Sequence, residues 1–228
     1  MTRIFLDTAS TDEIREFLSW GIGDGVTTNQ KIFLSEGNVD FKGRVLEICG
    51  MKDWPVSVET TKKGFDALVA EARMYAEWHR NVVVKVAMDK DGTGLKVVKR
   101  LHDEGIRTNM TVMMTLNQLF MAAKAGATFV SLFFNRARDA GLDPVKTTRE
   151  VMPLLERLGD SELIVGSIRK PEDVEEILSA GAHIATITPK VLRQMVTHPK
   201  SEETIKEFDD AWKEFLAKNS LAFPTRSS

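Results

Sequence analysis

Hydrophobic positions along this chain follow two alternating periods. Short apolar runs, most of them rich in β-branched residues, stand between longer segments in which apolar residues recur about every 3.6 residues. The short runs predict buried strands, and the longer segments predict amphipathic helices. Eight strands are expected, at residues 4–7, 25–28, 56–59, 82–87, 107–112, 129–133, 163–167 and 183–187.

Helix ends carry their own signals. Gly105, Gly126 and Gly181 each precede a predicted strand, where a left-handed residue commonly ends a helix. At the helix starts, we expect Thr11 or an aspartate beside it to cap the first helix, and Pro171 to stand in the first turn of a later one. Each predicted strand is therefore followed by a helix.

Strict alternation of strand and helix predicts a parallel sheet. Eight repeats in one domain of modest size favour closure into a (β/α)8 TIM barrel of the α/β class, and an open doubly wound sheet is the alternative. No Gly-x-Gly-x-x-Gly motif follows the first strand, where residues 7–10 read Asp-Thr-Ala-Ser. A nicotinamide cofactor is therefore not expected.

The segment after the eighth strand has the pattern of two further helices, at residues 189–196 and 201–217. Residues 219–228 have the composition of a frayed tail. We therefore expect one domain, residues 1–218, that includes the barrel and a C-terminal helix, followed by a flexible tail at 219–228. The chain has 228 residues and is 43% hydrophobic, enough to bury such a core.

Composition and charge narrow the class of function. Lys and Arg number 31 against 33 for Asp and Glu, without a sustained basic block, so nucleic acid is not an expected partner. No apolar run approaches the ~18 residues of a membrane span, and no signal-peptide pattern precedes the first strand. We expect a cytoplasmic protein that has no membrane partner.

Cysteine and histidine usage gives no sign of a metal site. The one cysteine, Cys49, shares a helix face with Val45 and Leu46 and is expected in the core. No two histidines have the spacing of metal ligands or a context typical of a Ser/His/Asp arrangement. They stand at His79, His102, His183 and His198.

Lys85 is the most informative single residue, because it interrupts the apolar run Val-Val-Val-Lys-Val-Ala at residues 82–87. Alternation along a strand places the three valines at 82, 84 and 86 on one face and Lys85 on the other. If the valines pack against helices, Lys85 points into the barrel, where burial disfavours its charged form. A neutral amine is a nucleophile toward carbonyls. An exposed lysine on an edge strand is the alternative.

Further polar residues stand at or just after the predicted strand ends, where functional groups of a parallel barrel gather. Asp7 and Glu59 supply carboxylates that could transfer protons, although either could instead cap a helix. Arg136 and Arg169 follow strands six and seven, near the usual phosphate site of barrels, and could clamp an anion. The other candidates are Thr27, Asn29, Thr111, Ser131 and Ser167.

Several motifs in the same order resemble the small transaldolase family, which includes fructose-6-phosphate aldolase, from residue 4 to about residue 212. The motifs are Phe-Leu-Asp-Thr at 5–8, Gly-Val-Thr-Thr-Asn at 25–29, Val-Val-Lys at 83–85 and Thr-Asn-Met-Thr at 108–111. Further matches are Ala-Gly-Ala at 125–127, Asn-Arg at 135–136 and Ser-Ile-Arg at 167–169. The resemblance implies a (β/α)8 barrel, in agreement with the repeat count.

The resemblance also implies roles for individual residues. Lys85 would be the Schiff-base lysine and Asp7 the acid or base at the carbon–carbon bond that breaks, while Glu59 and Thr111 would hold a catalytic water. A dihydroxyacetone unit would pass from a ketose phosphate to an aldose phosphate, with no metal or other cofactor. The expected substrate-binding residues are Thr27, Asn29, Ser131, Phe133, Arg136, Ser167 and Arg169.

Three functional alternatives stay open. The fructose-6-phosphate aldolase branch carries glutamine and tyrosine at the positions of Glu59 and Phe133, so both residues favour a transferase over a free aldolase. The family usually has Pro-Ser where this chain has Gln30 and Lys31, which leaves room for an unusual anionic ketose, such as a sulfonated one. A non-catalytic sugar-phosphate-binding barrel is the third alternative.

Relatives form rings of five or ten, which implies a homo-oligomer.

Overall fold

The computed structural model describes residues 1–219, and its eight strands close into a parallel barrel in chain order. The strands are β1 (Arg3–Asp7), β2 (Gly25–Thr27), β3 (Val56–Glu59), β4 (Val82–Ala87), β5 (Thr108–Met113), β6 (Phe129–Phe133), β7 (Glu162–Gly166) and β8 (Ile184–Ile187). Three have the predicted bounds, and the others differ by one residue at one end or at both. The predicted TIM barrel is confirmed, and the open sheet is excluded because β1 pairs with β8.

Helices follow every strand. They are α1 (Thr11–Ser19), α2 (Gln30–Ser35), α3 (Phe41–Met51), α4 (Phe65–Ala76), α5 (Thr93–Asp103), α6 (Leu116–Lys124), α7 (Phe134–Asp139), α8 (Pro144–Leu158), α9 (Pro171–Ala180), α10 (Pro189–Met195) and α11 (Pro199–Asn219). The repeats after β2 and β6 each contain an additional short helix, α2 and α7 respectively. These two helices lie directly after strand ends and therefore border the barrel mouth.

The helix signals are confirmed with one exception. Gly105, Gly126 and Gly181 have φ values of 74°, 92° and 82°, as left-handed helix-ending residues do, and Pro171 stands in the first turn of α9. The prediction of a threonine or aspartate cap on α1 is wrong. Ser10 is the cap, because it keeps an extended backbone while its side chain accepts the N–H of the third helical residue.

One apolar layer lies outside the strands and another lies inside the barrel. Val82, Val84 and Val86 belong to the outer layer, between β4 and the helices. Val83 faces inward, where it forms the inner layer with Phe5, Phe129, Ile164 and Ile184. A Cβ at Gly25 would lie 2.6 Å from the Phe5 ring, so glycine at that position leaves the ring space inside the barrel.

Residues 1–192 form one compact unit that contains all eight strands. The described residues from 193 onward belong to a second unit, which contains α11. That residues 1–218 form a single domain stays a prediction. Of the predicted tail at 219–228, only residue 219 is among the described residues. None of the helices within residues 1–219 is both long and apolar enough to cross a membrane.

Candidate active site

Strand register brings three polar side chains together at the barrel mouth. Lys85 in β4 pairs with Glu59 in β3 on one side and with Asn109 in β5 on the other. Residues paired across parallel strands point to the same face of the sheet, so all three side chains enter the barrel. Lys85 therefore lies between a carboxylate and an amide.

Lys85 is buried, with 7% of its side chain exposed. Its Nζ lies 3.2 Å from Glu59 Oε2 and donates a hydrogen bond of 3.1 Å to the carbonyl oxygen of Thr28. The exposed-lysine alternative is wrong, because the barrel is closed and β4 has a neighbour on each side. A single buried amine with one anionic partner can attack a carbonyl once it loses its proton.

Asp7 is held at the end of β1 by a threonine pair. Thr27 donates to Asp7 Oδ1 at 2.7 Å, and its hydroxyl also contacts that of Thr186. Burial raises the pKa of Asp7 above its usual value, while the Lys85 charge and the Thr27 hydrogen bond lower it in part. A carboxyl with a raised pKa suits proton transfer near neutral pH.

Neither carboxylate caps a helix. Ser10 caps α1, and Gly64 occupies the cap position of α4. The helix-cap interpretation of Asp7 and Glu59 is therefore wrong. Their carboxylates line the cavities of the barrel mouth and remain candidates for proton transfer.

A β-bulge in β5 sets the position of Thr111. Between Met110 and Met113 the strand contains one more residue than its partner β6. Val112 takes up this extra length with a φ of 63°, which is costly for a β-branched residue. Thr111 is fully buried, and its hydroxyl has no hydrogen-bond partner among the described residues. That hydroxyl is available to a water or a substrate.

A polar chain runs across the barrel beside Lys85 and joins the predicted site residue Ser131 to two residues that were not predicted, Asn109 and Ser57. Ser131 donates to Asn109 Oδ1 at 2.7 Å, and Asn109 Nδ2 donates to Ser57 Oγ at 3.1 Å. All three side chains are buried. The signal for Asn109 was present in the sequence, because it is an amide inside a strand next to that of Lys85.

Two adjoining cavities occupy the barrel mouth, and both are lined by Asn29, Lys85, Phe133 and Arg136. The deep cavity, of about 100 Å³, is further lined by Asp7, Thr27, Asn109, Thr111, Ser131, Gly166, Ser167 and Thr186. The outer cavity, of about 330 Å³, is further lined by Gln30, Lys31, Ile32, Ser35, Glu59 and Val112. Every predicted site residue except Arg169 lines one of the two.

The two arginines have different surroundings. Arg136 lines both cavities and stacks over the Phe133 ring at 4.7 Å from its centre. Arg169 forms a two-pronged ion pair with Asp139 instead, and this hydrogen bonding lowers the pKa of Asp139. In this arrangement Arg136 and Arg169 therefore do not form the predicted clamp for an anion.

Ser167 and its neighbours connect two loops of the mouth. Ser167 has a φ of 61°, and its carbonyl oxygen accepts a hydrogen bond of 2.9 Å from Asn135 Nδ2. Asn135 also donates to the fully buried Asp173, which accepts the backbone N–H of Arg169 and pairs with Arg138. One buried carboxylate thus fixes the loops that follow β6 and β7.

Other features lie away from this mouth. A larger groove, of about 940 Å³, is lined by residues of α4, α5 and α6 and shares no lining residue with the two cavities of the mouth. Cys49 is buried as predicted, and burial raises the pKa of its thiol to about 11, which keeps it protonated. Among residues 1–219, no three His, Cys, Asp or Glu side chains could hold a metal ion.

The fold and the mouth together define a class of protein. A (β/α)8 barrel with a buried lysine, a nearby carboxyl group of raised pKa and a row of buried hydroxyls and amides is the arrangement of a class I aldolase. In that class of enzyme a lysine supplies the nucleophile, and a carboxyl group supplies proton transfer.

Comparison with known proteins specifies the family. The sequence profile of the Transaldolase/Fructose-6-phosphate aldolase family matches residues 4–223. A "Probable transaldolase" from Symbiobacterium thermophilum is 43% identical over 211 residues, which cover 92% of this chain and 96% of the relative. Another from Streptococcus agalactiae serotype V is 44% identical over 217 residues, 95% of this chain and all of the relative.

The chain belongs to the transaldolase/fructose-6-phosphate aldolase family. It is an enzyme of the transaldolase type, and the general mechanism of this family proceeds through a lysine Schiff base. Its substrates are accordingly sugar phosphates. The resemblance seen in the sequence is confirmed.

Proposed function

We propose that Lys85 forms the Schiff base with the ketose and that Asp7, Glu59 and Thr111 complete the catalytic set. The observation that carries this proposal is the position of Lys85, a buried amine that lines both cavities and has Glu59 Oε2 at 3.2 Å. The other lysine at these cavities, Lys31, is exposed to solvent.

In the proposed reaction, the Lys85 amine attacks the ketose carbonyl, and loss of water gives an iminium. Asp7 takes the proton of the hydroxyl adjacent to the bond that breaks, and an aldehyde leaves. The electrons of the broken bond move into the iminium, which becomes an enamine on Lys85. Attack of this enamine on an acceptor aldehyde reverses the steps, and Asp7 returns the proton to the new hydroxyl.

Water must leave and re-enter during iminium formation and hydrolysis. We assign the holding of that water to Glu59 and Thr111, as the resemblance implies. Glu59 has Lys85 within contact distance, and Thr111 offers a buried hydroxyl without another partner among the described residues. A water held by both groups can exchange protons with the substrate carbonyl oxygen.

Substrate binding is assigned to the polar side chains around the deep cavity. Its walls carry Thr27, Asn29, Ser131 and Ser167, whose groups suit sugar hydroxyls, and Phe133 with its stacked Arg136 lies where the two cavities meet. Arg136 is the proposed contact to the phosphate. Arg169 stays a predicted second contact, which requires it to leave Asp139.

Trapping with borohydride tests the proposal. Incubation with fructose 6-phosphate and borohydride should add the dihydroxyacetone unit to Lys85, as read by peptide mass spectrometry. Lys85→Ala should abolish both the adduct and turnover, whereas Lys52→Ala, at a lysine outside both cavities, should retain them. An unlabelled Lys85, or an adduct that persists in Lys85→Ala, would refute the assignment.

Transferase and aldolase are separated by a coupled assay with and without an acceptor aldose phosphate. We infer transfer as the main reaction from Glu59 and Phe133, where the aldolase branch has glutamine and tyrosine. Turnover that requires the acceptor supports transfer, whereas release of free dihydroxyacetone at an equal rate without acceptor contradicts it.

We further infer a homo-oligomer, a pentamer or decamer. Helix α11 exposes Ile205 and Phe208, and such apolar side chains on a long helix favour a protein partner. Sedimentation of the full chain tests this inference, and a monomer would contradict it. Location in the cytoplasm and a place in the pentose phosphate pathway stay predictions.

A further inference from the structure

The cations at the outer cavity are not equally neutralised. Lys85 is paired with Glu59, and Arg169 outside the cavity is paired with Asp139. Lys31 and Arg136 line the cavity without an ion-pair partner among residues 1–219. The outer cavity therefore combines a neutral catalytic pair at Lys85 with two uncompensated positive charges, Lys31 and Arg136.

The backbone of Lys31 is fixed relative to the catalytic residues. Asn29 caps α2, and its Oδ1 accepts the N–H groups of Lys31 at 2.9 Å and Ile32 at 3.1 Å. Gln30 Nε2 donates to the carbonyl oxygen of Thr60, just beyond β3, at 3.3 Å. The backbone of Lys31 is thus anchored between β2 and the end of β3, while its long side chain can still adjust to a ligand.

We propose that Lys31 is a specificity-determining residue that, together with Arg136, binds the terminal phosphate of the ketose donor and, after cleavage, that of the acceptor aldehyde. This inference rests on the proposed function and adds to it a further cation, at a position where the family usually has serine. Arg169 lines neither cavity while it is held by Asp139, whereas Lys31 already lines the outer cavity in this arrangement.

The charge of the site selects the kind of anion. A phosphate monoester carries close to two negative charges at neutral pH, because its second pKa is about 6. Two uncompensated cations match that charge, whereas a sulfonate carries one. The stacked Arg136 offers a fixed planar donor set, and Lys31 adds a mobile point charge. The site therefore favours a phosphorylated sugar over a sulfonated one.

Steady-state kinetics with matched aldehydes test this inference. With fructose 6-phosphate as donor, glyceraldehyde 3-phosphate is compared with unphosphorylated glyceraldehyde as acceptor. We expect Lys31→Gln to raise KM for the phosphorylated acceptor about tenfold, the loss of one charge-assisted contact. KM for glyceraldehyde should stay within about twofold. Lys31→Arg should restore most of the loss, and Lys63→Gln, at an exposed lysine outside both cavities, should leave both values unchanged.

A pH series gives a second readout that a purely structural role would not alter. Between pH 7 and pH 5 the phosphate gains its second proton, with a pKa of about 6. KM for the phosphorylated acceptor should therefore rise steeply in the parent enzyme and less steeply in Lys31→Gln. Equal slopes in the two proteins would contradict a contact between Lys31 and the phosphate.

The remaining outcomes are equally decisive. An equal rise in KM for both acceptors, or none, would overturn the role of Lys31. A loss of the preference for the phosphorylated acceptor in Arg169→Gln, with none in Lys31→Gln, would assign the anion site to the arginines alone. Preference of the parent enzyme for a sulfonated aldehyde of the same length would refute the charge argument. If borohydride fails to trap Lys85 in the parent enzyme, the proposed function fails instead, independently of these comparisons.

Discussion

Replacement of Asp7 by asparagine should make the protein more stable and less active. Asparagine has nearly the same shape and keeps an oxygen that can accept the Thr27 hydrogen bond, which is 2.7 Å long in the parent chain. It removes the negative charge. The raised pKa of Asp7 has burial as its largest cause, so the folded environment disfavours that charge even with Lys85 nearby.

The sign of the effect depends on pH. A carboxyl with a raised folded-state pKa binds its proton more tightly in the folded chain than in the unfolded one. Its contribution to stability is complete below the unfolded value of about 3.8 and is lost as pH rises through the folded value. The ionised Asp7 therefore costs stability at neutral pH, and asparagine removes that cost.

The magnitude follows from the contacts. Burial of an imperfectly compensated polar group costs about 1–3 kcal/mol, and Lys85 and Thr27 offset part of that cost for Asp7. We expect Asp7→Asn to raise the free energy of unfolding at pH 8 by about 1 kcal/mol, a gain of about 2–4 °C in Tm for a chain of this size. Loss of the acid/base group should lower kcat by about 10²–10⁴.

Thermal unfolding at pH 8 and pH 4.5, with turnover measured in parallel, checks this prediction. The gain should shrink toward pH 4.5, where Asp7 is increasingly protonated in the folded chain. Asp160→Asn, at an exposed aspartate, should change neither stability nor kcat. A variant that is less stable at pH 8, or equally stabilised at both pH values, would refute the burial argument. Unchanged turnover would refute the role of Asp7 in proton transfer.

Three further predictions concern residues around the mouth. Glu59→Gln should shift product partition toward free dihydroxyacetone in the coupled assay, and unchanged partition would count against its proposed role. Val112→Gly should alter the free energy of unfolding by less than about 1 kcal/mol, because relief of backbone strain offsets the added entropy of the unfolded chain. It should lower kcat, because Thr111 loses its fixed position. An unchanged kcat would show that the bulge is not needed to position Thr111. Asp173→Asn should destabilise the fold by about 1–2 kcal/mol in urea unfolding, because the hydrogen bonds from Asn135 and from the Arg169 N–H lose their charged acceptor. The partly exposed Arg138 keeps Glu176 and adds little to this loss. An unchanged free energy of unfolding would contradict the prediction.

Much of the fold could be predicted from local pattern. Strand β4 has a run of valines on one face, which pack against helices, and this pattern also determines that Lys85 points inward. The helix-ending glycines, such as Gly105, predict boundaries because few other residues adopt a positive φ without strain. The α1 cap shows the limit, since Ser10, Thr11 and Asp12 are all good capping residues and only the backbone path selects one.

The sequence by itself identified the candidate side chains for the chemistry, and the tertiary structure decided which of them meet. Lys85 and Glu59 are 26 positions apart and become neighbours through the β3–β4 register, a long-range pairing that no local period encodes. The bulge that places Thr111 depends on how β5 fits β6. Likewise, Arg169 appears in the sequence as a partner of Arg136, yet its guanidinium pairs with Asp139, whereas Lys31 lines the cavity above Lys85. Side-chain pairing depends on distances between separate loops, and closure of the barrel sets those distances.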